Sequence, residues 1–435
     1  MIAVLFAPVS AFCTEELSAL KAEIENLRNE YEQRIKELED RLAEMEAATR
    51  EVPAETATVG TIPAPVTKTT NSFNPAISLI LNGQYNHYTR PASEYTLSGF
   101  ALQGEGGLAR EGFSLGESEM TLSASIDPLF FGQVTMALAD EGGITEVNIE
   151  EAFIETIGLN NGVTVRAGRF YSPIGYLNEK HVHTWNFSDA PLIYRGLFGD
   201  QLINDGLKIS YLLPTDILFE VGATVGSGSH YPGSGEHSGI GDWLLYARAG
   251  GDIGIEDSWQ LGLAHWRANP EDRSFGNSGD VVFNGSSDIT SLSLVYKWAA
   301  NGNIRDHSFT LQNEYFYQHE SGTLDEGNRS SAYDGKQYGS TIEGIYQFSP
   351  RWRTGFRYDW LGSRHHATDL QLLRNAALDF SEFHPQRYSL MLEWLPSEFS
   401  RLRLQLNEDK SSHLSNTELF LQYTVSLGSH GAHAY

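Results

Sequence analysis

Polar and apolar residues alternate through most of the chain after Asn74. The segment RWRTGFRYDW, residues 351–360, shows this pattern most clearly. One parity holds Arg351, Arg353, Arg357 and Asp359, and the other holds Trp352, Phe356, Tyr358 and Trp360. Successive residues of a β-strand point to opposite faces, so one face of this segment is charged and the other is aromatic. A soluble sheet would bury the aromatic face in protein, whereas a membrane barrel turns it to lipid and turns the arginines to a wet lumen.

The same period of two predicts sixteen strands along the chain. Several of the segments contain a slip in parity, which indicates a β-bulge. The predicted strands are 77–85, 113–126, 130–138, 145–157, 163–171, 207–213, 217–225, 242–252, 257–268, 292–298, 305–319, 338–348, 351–360, 388–394, 402–406 and 419–427.

The connections between these strands alternate between short and long. The short turns are 127–128, 159–162, 213–216, 253–258, 299–303, 349–351 and 395–398. The longer polar loops are 91–111, 141–144, 173–202, 228–241, 270–286, 320–335, 361–384 and 410–416. Seven short turns and eight long loops are what sixteen up-and-down strands require if both ends of the barrel sequence lie on the short-turn side. The chain is therefore predicted to be all-β, with a 16-stranded antiparallel transmembrane β-barrel over residues 74–435.

Three segments of different character precede the barrel. Residues 1–13 are apolar and end in small residues, which indicates a signal peptide; a hydrophobic N-terminus of a cytosolic protein is the alternative. Residues 15–46 carry a heptad repeat with one four-residue stutter, which predicts an α-helical coiled-coil stalk rather than a lone solvated helix. Residues 47–73 are rich in Ala, Thr and Pro and are predicted to be an extended linker.

Composition excludes several classes of function. The formal net charge of −26 argues against binding nucleic acid through its phosphates. The single cysteine, Cys13, excludes an intrachain disulfide framework and a cysteine-rich metal site. No run approaches the roughly 20 apolar residues of a spanning helix. We expect no cofactor.

Charged residues on the strands predict the lining of the lumen. An arginine against lipid costs about 2–4 kcal/mol near the membrane midplane, so the arginines of the late strands are expected to face water. These predicted pore-lining residues are Arg351, Arg353, Arg357, Arg387, Arg401 and Arg403. Carboxylates collect on the early strands instead, with Glu117 and Glu119 predicted to line the pore, followed by Glu150, Glu151 and Glu155.

The whole architecture resembles the trimeric substrate-selective porins of Gram-negative outer membranes, above all the phosphate-selective type and the dicarboxylate type with an N-terminal coiled coil. The resemblance implies that the third long loop folds inward to narrow the pore. The charged and aromatic candidates in this constriction loop are Glu179, Lys180, His181, His183, Asp189 and Arg195. It also implies a homotrimer. The closing segment LFLQYTVSLGSHGAHAY resembles the last strand of a barrel, and its histidines resemble those of outer-membrane proteins labelled zinc-regulated.

Histidine pairs are the candidate metal ligands, because imidazole nitrogen binds zinc. The pairs are His181 with His183, His365 with His366, and His430 with His433, and lone surface histidines are the commoner explanation. An energised receptor would need about 22 strands around a plug, which this chain is too short to supply. His384 with Asp379 and Ser381, and His183 with Asp189, form no recognisable catalytic motif, so we expect no enzyme.

These observations predict an outer-membrane diffusion channel of a Gram-negative bacterium, with its coiled coil in the periplasm. Its expected partners are outer-membrane lipid, copies of itself in a homotrimer, and small polar solutes, but no nucleic acid. Fixed charges in the lumen would favour anionic or zwitterionic solutes weakly. The alternatives are a zinc-related uptake protein or receptor-like barrel, and a barrel-anchored envelope tether or adhesin.

Overall fold

The computed structural model describes residues 75–104, 106–141, 144–159, 161–275, 280–378 and 382–428. They form a closed antiparallel barrel of sixteen long strands, with two three-residue strands, β2 and β11, added to β1 and β12. The strands are β1 (Ala76–Tyr88), β2 (Gly112–Ser114), β3 (Ser118–Ser125), β4 (Phe130–Glu141), β5 (Ile144–Thr156), β6 (Val163–Tyr171), β7 (Ile203–Leu212), β8 (Leu218–Gly226), β9 (Asp242–Ile253), β10 (Asp257–Ala268), β11 (Arg273–Phe275), β12 (Val281–Ala299), β13 (Ser308–Glu326), β14 (Arg329–Ser349), β15 (Trp352–Ala367), β16 (Gln386–Ser397), β17 (Ser400–Lys410) and β18 (Asn416–Gly428).

The barrel closes because β1 pairs with β18 on one side and with β3 on the other. The predicted 16-stranded antiparallel barrel is thereby confirmed, and each predicted strand overlaps one long strand of the structure. The seven predicted short turns also lie between consecutive strands. The predicted signal peptide, coiled coil and linker, and the tail after Gly428, lie outside the described residues.

The predicted loop 320–335 is wrong, because β13 and β14 continue through it and pair up to Glu326 with Arg329. β14 has 21 residues, which at about 3.4 Å per residue is far longer than the roughly 25 Å apolar band of a barrel. The strands β12 to β15 therefore extend beyond the band as one tall wall. Beyond the band the outward face meets water instead of lipid, while Leu324 and Tyr333 on the other face are buried in a hydrophobic cluster. Outward residues there no longer need to be apolar, so the alternation seen inside the band disappears while backbone pairing continues.

The outer surface of the barrel is apolar and its inner surface is polar. On β16 and β17, Leu390, Leu392 and Leu404 are between 41% and 58% exposed, whereas Glu393 and Arg403 are fully buried. Trp352 and Trp394 lie opposite each other beside the short turns, with ring centroids 6.4 Å apart. Aromatic rings at one end of a barrel match the girdle expected at the membrane interface.

The connection between β6 and β7, residues 172–202, folds into the barrel interior, and we call it the inner loop. It contains a short helix, α1 (Leu192–Phe198), whose residues are all buried. Leu192, Ile193 and Tyr194 of α1 pack into a hydrophobic cluster with residues of the barrel wall such as Phe316 and Leu361.

A second short helix, α2 (Leu370–Asn375), lies in the connection between β15 and β16. Its Leu372 and Leu373 pack with residues of the tall wall, including Phe283 and Tyr333. Among the described residues, no helix is long and apolar enough to cross a membrane.

Candidate functional site

The inner loop is attached to the barrel wall chiefly through Asp189. Its Oδ1 accepts hydrogen bonds from Arg357 Nη2 and Gln405 Nε2, both at 2.6 Å. Its Oδ2 accepts from Arg387 Nη1 at 2.7 Å, and from Arg195 and Asn407 at 3.2 Å. Burial alone would raise the pKa of Asp189, but the surrounding arginines outweigh it and lower that pKa below its usual range. The carboxylate is therefore a charged anchor between α1 and strands β15 to β17.

In a second attachment the carboxylate belongs to the barrel wall and the hydrogen-bond donors belong to the inner loop. Glu314 of β13 accepts hydrogen bonds from the backbone N–H of Tyr176 at 2.6 Å and from the hydroxyl of Tyr194 at 2.9 Å. The N–H of Leu177 donates to the same carboxylate at 3.3 Å. Glu314 is fully buried, so these bonds replace water that it has lost.

Glu179 forms a third attachment at the other side of the barrel. Lys208 of β7 donates to its Oε1 at 2.9 Å, and Arg248 of β9 contacts its Oε2. Burial would raise the pKa of Glu179, but Arg248 and Lys208 lower it to about 2. The inner loop is thus fixed to opposite walls by charges of its own.

The fourth attachment joins His181 and His183 to carboxylates of β3 and β5. His183 Nδ1 lies 2.7 Å from Glu119 Oε1, and the two imidazole rings stack with centroids 5.7 Å apart. His181 Nε2 lies 3.0 Å from Glu151 Oε2. Burial would lower the pKa of His181, but Glu119, Glu150 and Glu151 raise it well above its usual value. The predicted histidine pair therefore does come together, in a cluster of acidic residues.

A cavity of about 900 Å³ remains between the inner loop and the wall formed by β1, β4 to β6 and β18. Its lining includes charges of both signs. They are Arg110, Arg169 and Arg195, and Glu117, Glu150, Asp189 and Asp200. Arg169 is about one-third exposed and binds Asp205 through two hydrogen bonds of 2.7 and 2.8 Å. This cavity is where a solute inside the barrel would meet fixed charges.

The predicted pore-lining arginines have unequal positions. Arg357, Arg387 and Arg403 point inward as expected, but they are fully buried under the inner loop and so do not face lumen water. Arg403 binds Glu393 at 2.7 Å and donates to the carbonyl of Trp185 at 2.8 Å. The expectation of a wet arginine wall is corrected to this extent, because strand parity gives the face of a residue but not what covers that face.

The remaining predicted residues divide between wall, turn and loop. Arg353 pairs with Glu393, Arg401 is half-buried beside Thr424, and Arg351 lies exposed in the turn between β14 and β15. Glu119 is buried on β3, while Glu117 precedes β3 and borders the cavity. The predicted metal ligands His430 and His433 lie outside the described residues.

Sequence reasoning missed several residues that attach the inner loop. Gln405 and Asn407 bind Asp189, and Arg248 and Lys208 bind Glu179. Glu314 was also missed, since it lies in a strand with both tyrosines and polar residues on each face. Gln405 and Asn407 share the inward parity of Arg403 on β17, but parity does not reveal that they bind Asp189.

The chain is similar to known outer-membrane proteins. A family model described as "Putative beta-barrel porin-2, OmpL-like" matches residues 116–420. An uncharacterized protein of Aquifex aeolicus (strain VF5) is 28% identical over 394 residues, covering 84% of this chain and 80% of that protein.

Solved structures of outer-membrane proteins align with the chain at low sequence identity. The outer membrane channel DcaP of Acinetobacter baumannii is 11% identical and aligns over 81% of this chain and 97% of its own, with a TM-score of 0.53. An anion-selective porin from Comamonas acidovorans is 12% identical over 81% of this chain and 99% of its own, with a TM-score of 0.49. The alignment with DcaP indicates a shared barrel fold.

Proposed function

The chain belongs to the OmpL-like family of β-barrel porins, and on that premise we propose that it is a passive diffusion channel for small hydrophilic solutes. The observation that carries this proposal is the inner loop. It lies inside a closed barrel, is anchored to the wall by buried charges, and leaves a cavity of about 900 Å³ beside it. A loop in this position narrows a lumen without filling it, which is the arrangement that a size-selective channel needs.

We propose that the solutes are anionic or zwitterionic. Arg110 and Arg169 border the cavity together with Glu117 and Asp200, so a solute passing there meets both signs of charge. Fixed charges of both signs can replace hydration at both ends of a zwitterion. The buried arginines Arg357, Arg387 and Arg403 contribute to holding the loop rather than to this selectivity.

We further propose that the chain assembles as a homotrimer in the outer membrane, with residues 15–46 as a coiled-coil stalk in the periplasm. The heptad repeat supports the coiled coil. Both ends of the barrel sequence lie at the end of the barrel that carries the short turns, which supports a stalk on the periplasmic side. The resemblance of the sequence to phosphate-selective and dicarboxylate-type porins agrees with anionic solutes.

Purified protein in planar bilayers tests the channel. Discrete single-channel steps and a reversal potential in a salt gradient that favours anions, or neither ion, are expected. A barrel that inserts and folds but gives no conductance would contradict the channel and favour an envelope tether.

A further inference from the structure

A β-bulge places two consecutive glutamates on the same face of β5. The register between β4 and β5 shifts at this point: Thr135 pairs with Glu151 and Met136 pairs with Ile149, so Glu150 has no partner of its own. In a regular strand Glu150 and Glu151 would face opposite sides, one of them lipid. Because of the bulge both point inward, with exposures of only 8% and 6%. Bulges of this kind re-aim a side chain and occur often beside functional sites.

The inner loop brings His181 against this pair and against Glu119 of β3. His181 Nδ1 lies 3.1 Å from Glu119 Oε2 and 3.3 Å from Glu150 Oε2. Among the described residues, these three atoms are each buried without a hydrogen-bond partner of acceptable geometry. All three lie within 4.8 Å of one another. Buried polar atoms without a hydrogen-bond partner require an explanation, and one ion bound by all three atoms would supply it.

Two of the three separations match those around a tetrahedral metal ion. Zinc binds imidazole nitrogen and carboxylate oxygen at about 2.0–2.2 Å, which separates neighbouring tetrahedral ligands by about 3.3 Å. The two distances from His181 Nδ1, 3.1 and 3.3 Å, are close to that separation. One imidazole with two carboxylates suits zinc, whereas calcium and magnesium would require six or more oxygen ligands.

The surrounding residues orient these ligands as they are oriented in known metal sites. His181 Nε2 lies 3.0 Å from Glu151 Oε2, so a proton on Nε2 would leave the lone pair of Nδ1 directed at Glu119 and Glu150. A carboxylate bound to the outer nitrogen of a ligating histidine is the usual outer-shell partner. His183 Nδ1 holds the other oxygen of Glu119 at 2.7 Å. Glu150 also borders the cavity, which gives an ion a path of entry.

We propose that Glu119, Glu150 and His181 bind one divalent transition-metal ion, zinc by preference, which ties the inner loop to β3 and β5. A water from the cavity completes the tetrahedron. Glu151 and His183 are positioning residues that act through His181 and Glu119. This proposal goes beyond the channel, because metal binding is measured without conduction.

Zinc titration of the purified full-length protein, stripped with a chelator and measured by calorimetry and by bound-metal analysis, tests the site. One zinc per chain is expected. His181→Ala and Glu150→Gln should each abolish or strongly weaken that binding. Glu151→Gln should retain the site with an affinity roughly 10–100-fold lower, as for other outer-shell partners. His319→Ala is the matched control, because His319 lies on β13 outside this cluster, where it pairs with Asp334 at 2.9 Å, and its loss should leave binding unchanged.

Two results would overturn the proposal. A wild-type chain that retains no zinc would mean that His181 is a protonated imidazole neutralised by its three carboxylates. Equal zinc binding by His181→Ala would place the ion elsewhere, and loss of that binding in a His430→Ala/His433→Ala double variant would assign it to the tail. The first result is the number of zinc ions bound by the wild-type chain, so the proposal can be contradicted even if a variant fails to fold. A chain that binds no zinc yet conducts leaves the channel standing.

Discussion

Asp189 carries more attachments of the inner loop than any other side chain described above, so it is the residue where the loop is most easily released. Asp189→Asn keeps the shape of the side chain but removes the charge that faces Arg357, Arg387 and Arg195. Removing one partner of a buried ion pair costs about 3–5 kcal/mol, because the remaining charge is left buried and uncompensated. We expect a higher and noisier single-channel conductance.

The control for Asp189→Asn is Glu94→Gln, which removes the carboxylate of an exposed pair with Arg90 at 2.8 Å. An exposed ion pair contributes only about 0.2–1 kcal/mol, so conductance should stay at the wild-type value. If Asp189→Asn also leaves conductance and its noise unchanged, the carboxylate does not hold the loop.

The charge preference of the channel should respond to the residues that border the cavity. Arg169→Gln removes a positive charge that is one-third exposed there, so the reversal potential should move toward cations. Asp200→Asn should move it toward anions. Arg305→Gln, at a side chain that is 80% exposed near a short turn, should have no effect. If Arg169→Gln and Asp200→Asn both keep the wild-type reversal potential, solutes do not pass through this cavity.

Residue positions were predictable only as far as one strand determines them. Parity placed Arg357, Arg387 and Arg403 inside the barrel, because the energetic cost of arginine against lipid is large. It could not reveal that Asp189 neutralises two of them, since Asp189 is 198 residues away from Arg387. The acidic cluster around His181 depends on a bulge in β5 that turns both Glu150 and Glu151 inward. The direction of these side chains becomes clear only when β5 is paired with β4.

At the scale of elements, the inner loop is the part whose removal should change transport most. Deleting residues 178–192 removes Glu179, His181 and Asp189 together, and the arginines they covered would then be solvated by lumen water. We expect a larger conductance and entry of larger solutes, measured in bilayers and by liposome swelling.

An equal-length Gly/Ser replacement of residues 178–192 is the matched control for this deletion. It keeps the chain length but removes the anchors, so it should open the channel in the same direction. A deletion variant with the parent conductance would show that the loop is not the narrowest point.

The elements were predicted well inside the membrane and poorly above it. A strand with lipid on one side and water on the other must alternate, and this made all sixteen recognisable. Residues 320–335 have no such constraint, so a paired hairpin with Glu326 opposite Arg329 looked like a polar loop. The inward course of residues 172–202 was expected from the family resemblance and not from any periodicity.

At the scale of the whole molecule, the chain enters and leaves the barrel at the same end. The start of β1 lies beside the end of β18, with Ser78 opposite Gly428. The turn between β3 and β4 lies at this end too, since Ala76 pairs with Ser123. In a porin the short turns face the periplasm, so a stalk that precedes β1 would project there.

We expect residues 17–45 to form a parallel coiled coil that joins protomers, in a trimer by analogy with sixteen-strand porins. About four heptads with a stutter make a weak helix without neighbours, so contacts between barrels should supply much of the assembly's stability. Removing residues 15–60 should therefore leave channels that still conduct but dissociate into monomers more easily in detergent. Native mass measurement follows both forms. A full-length protein that is already a monomer in mild detergent would contradict the assembly, while an equally stable truncated oligomer would assign it to the barrel alone.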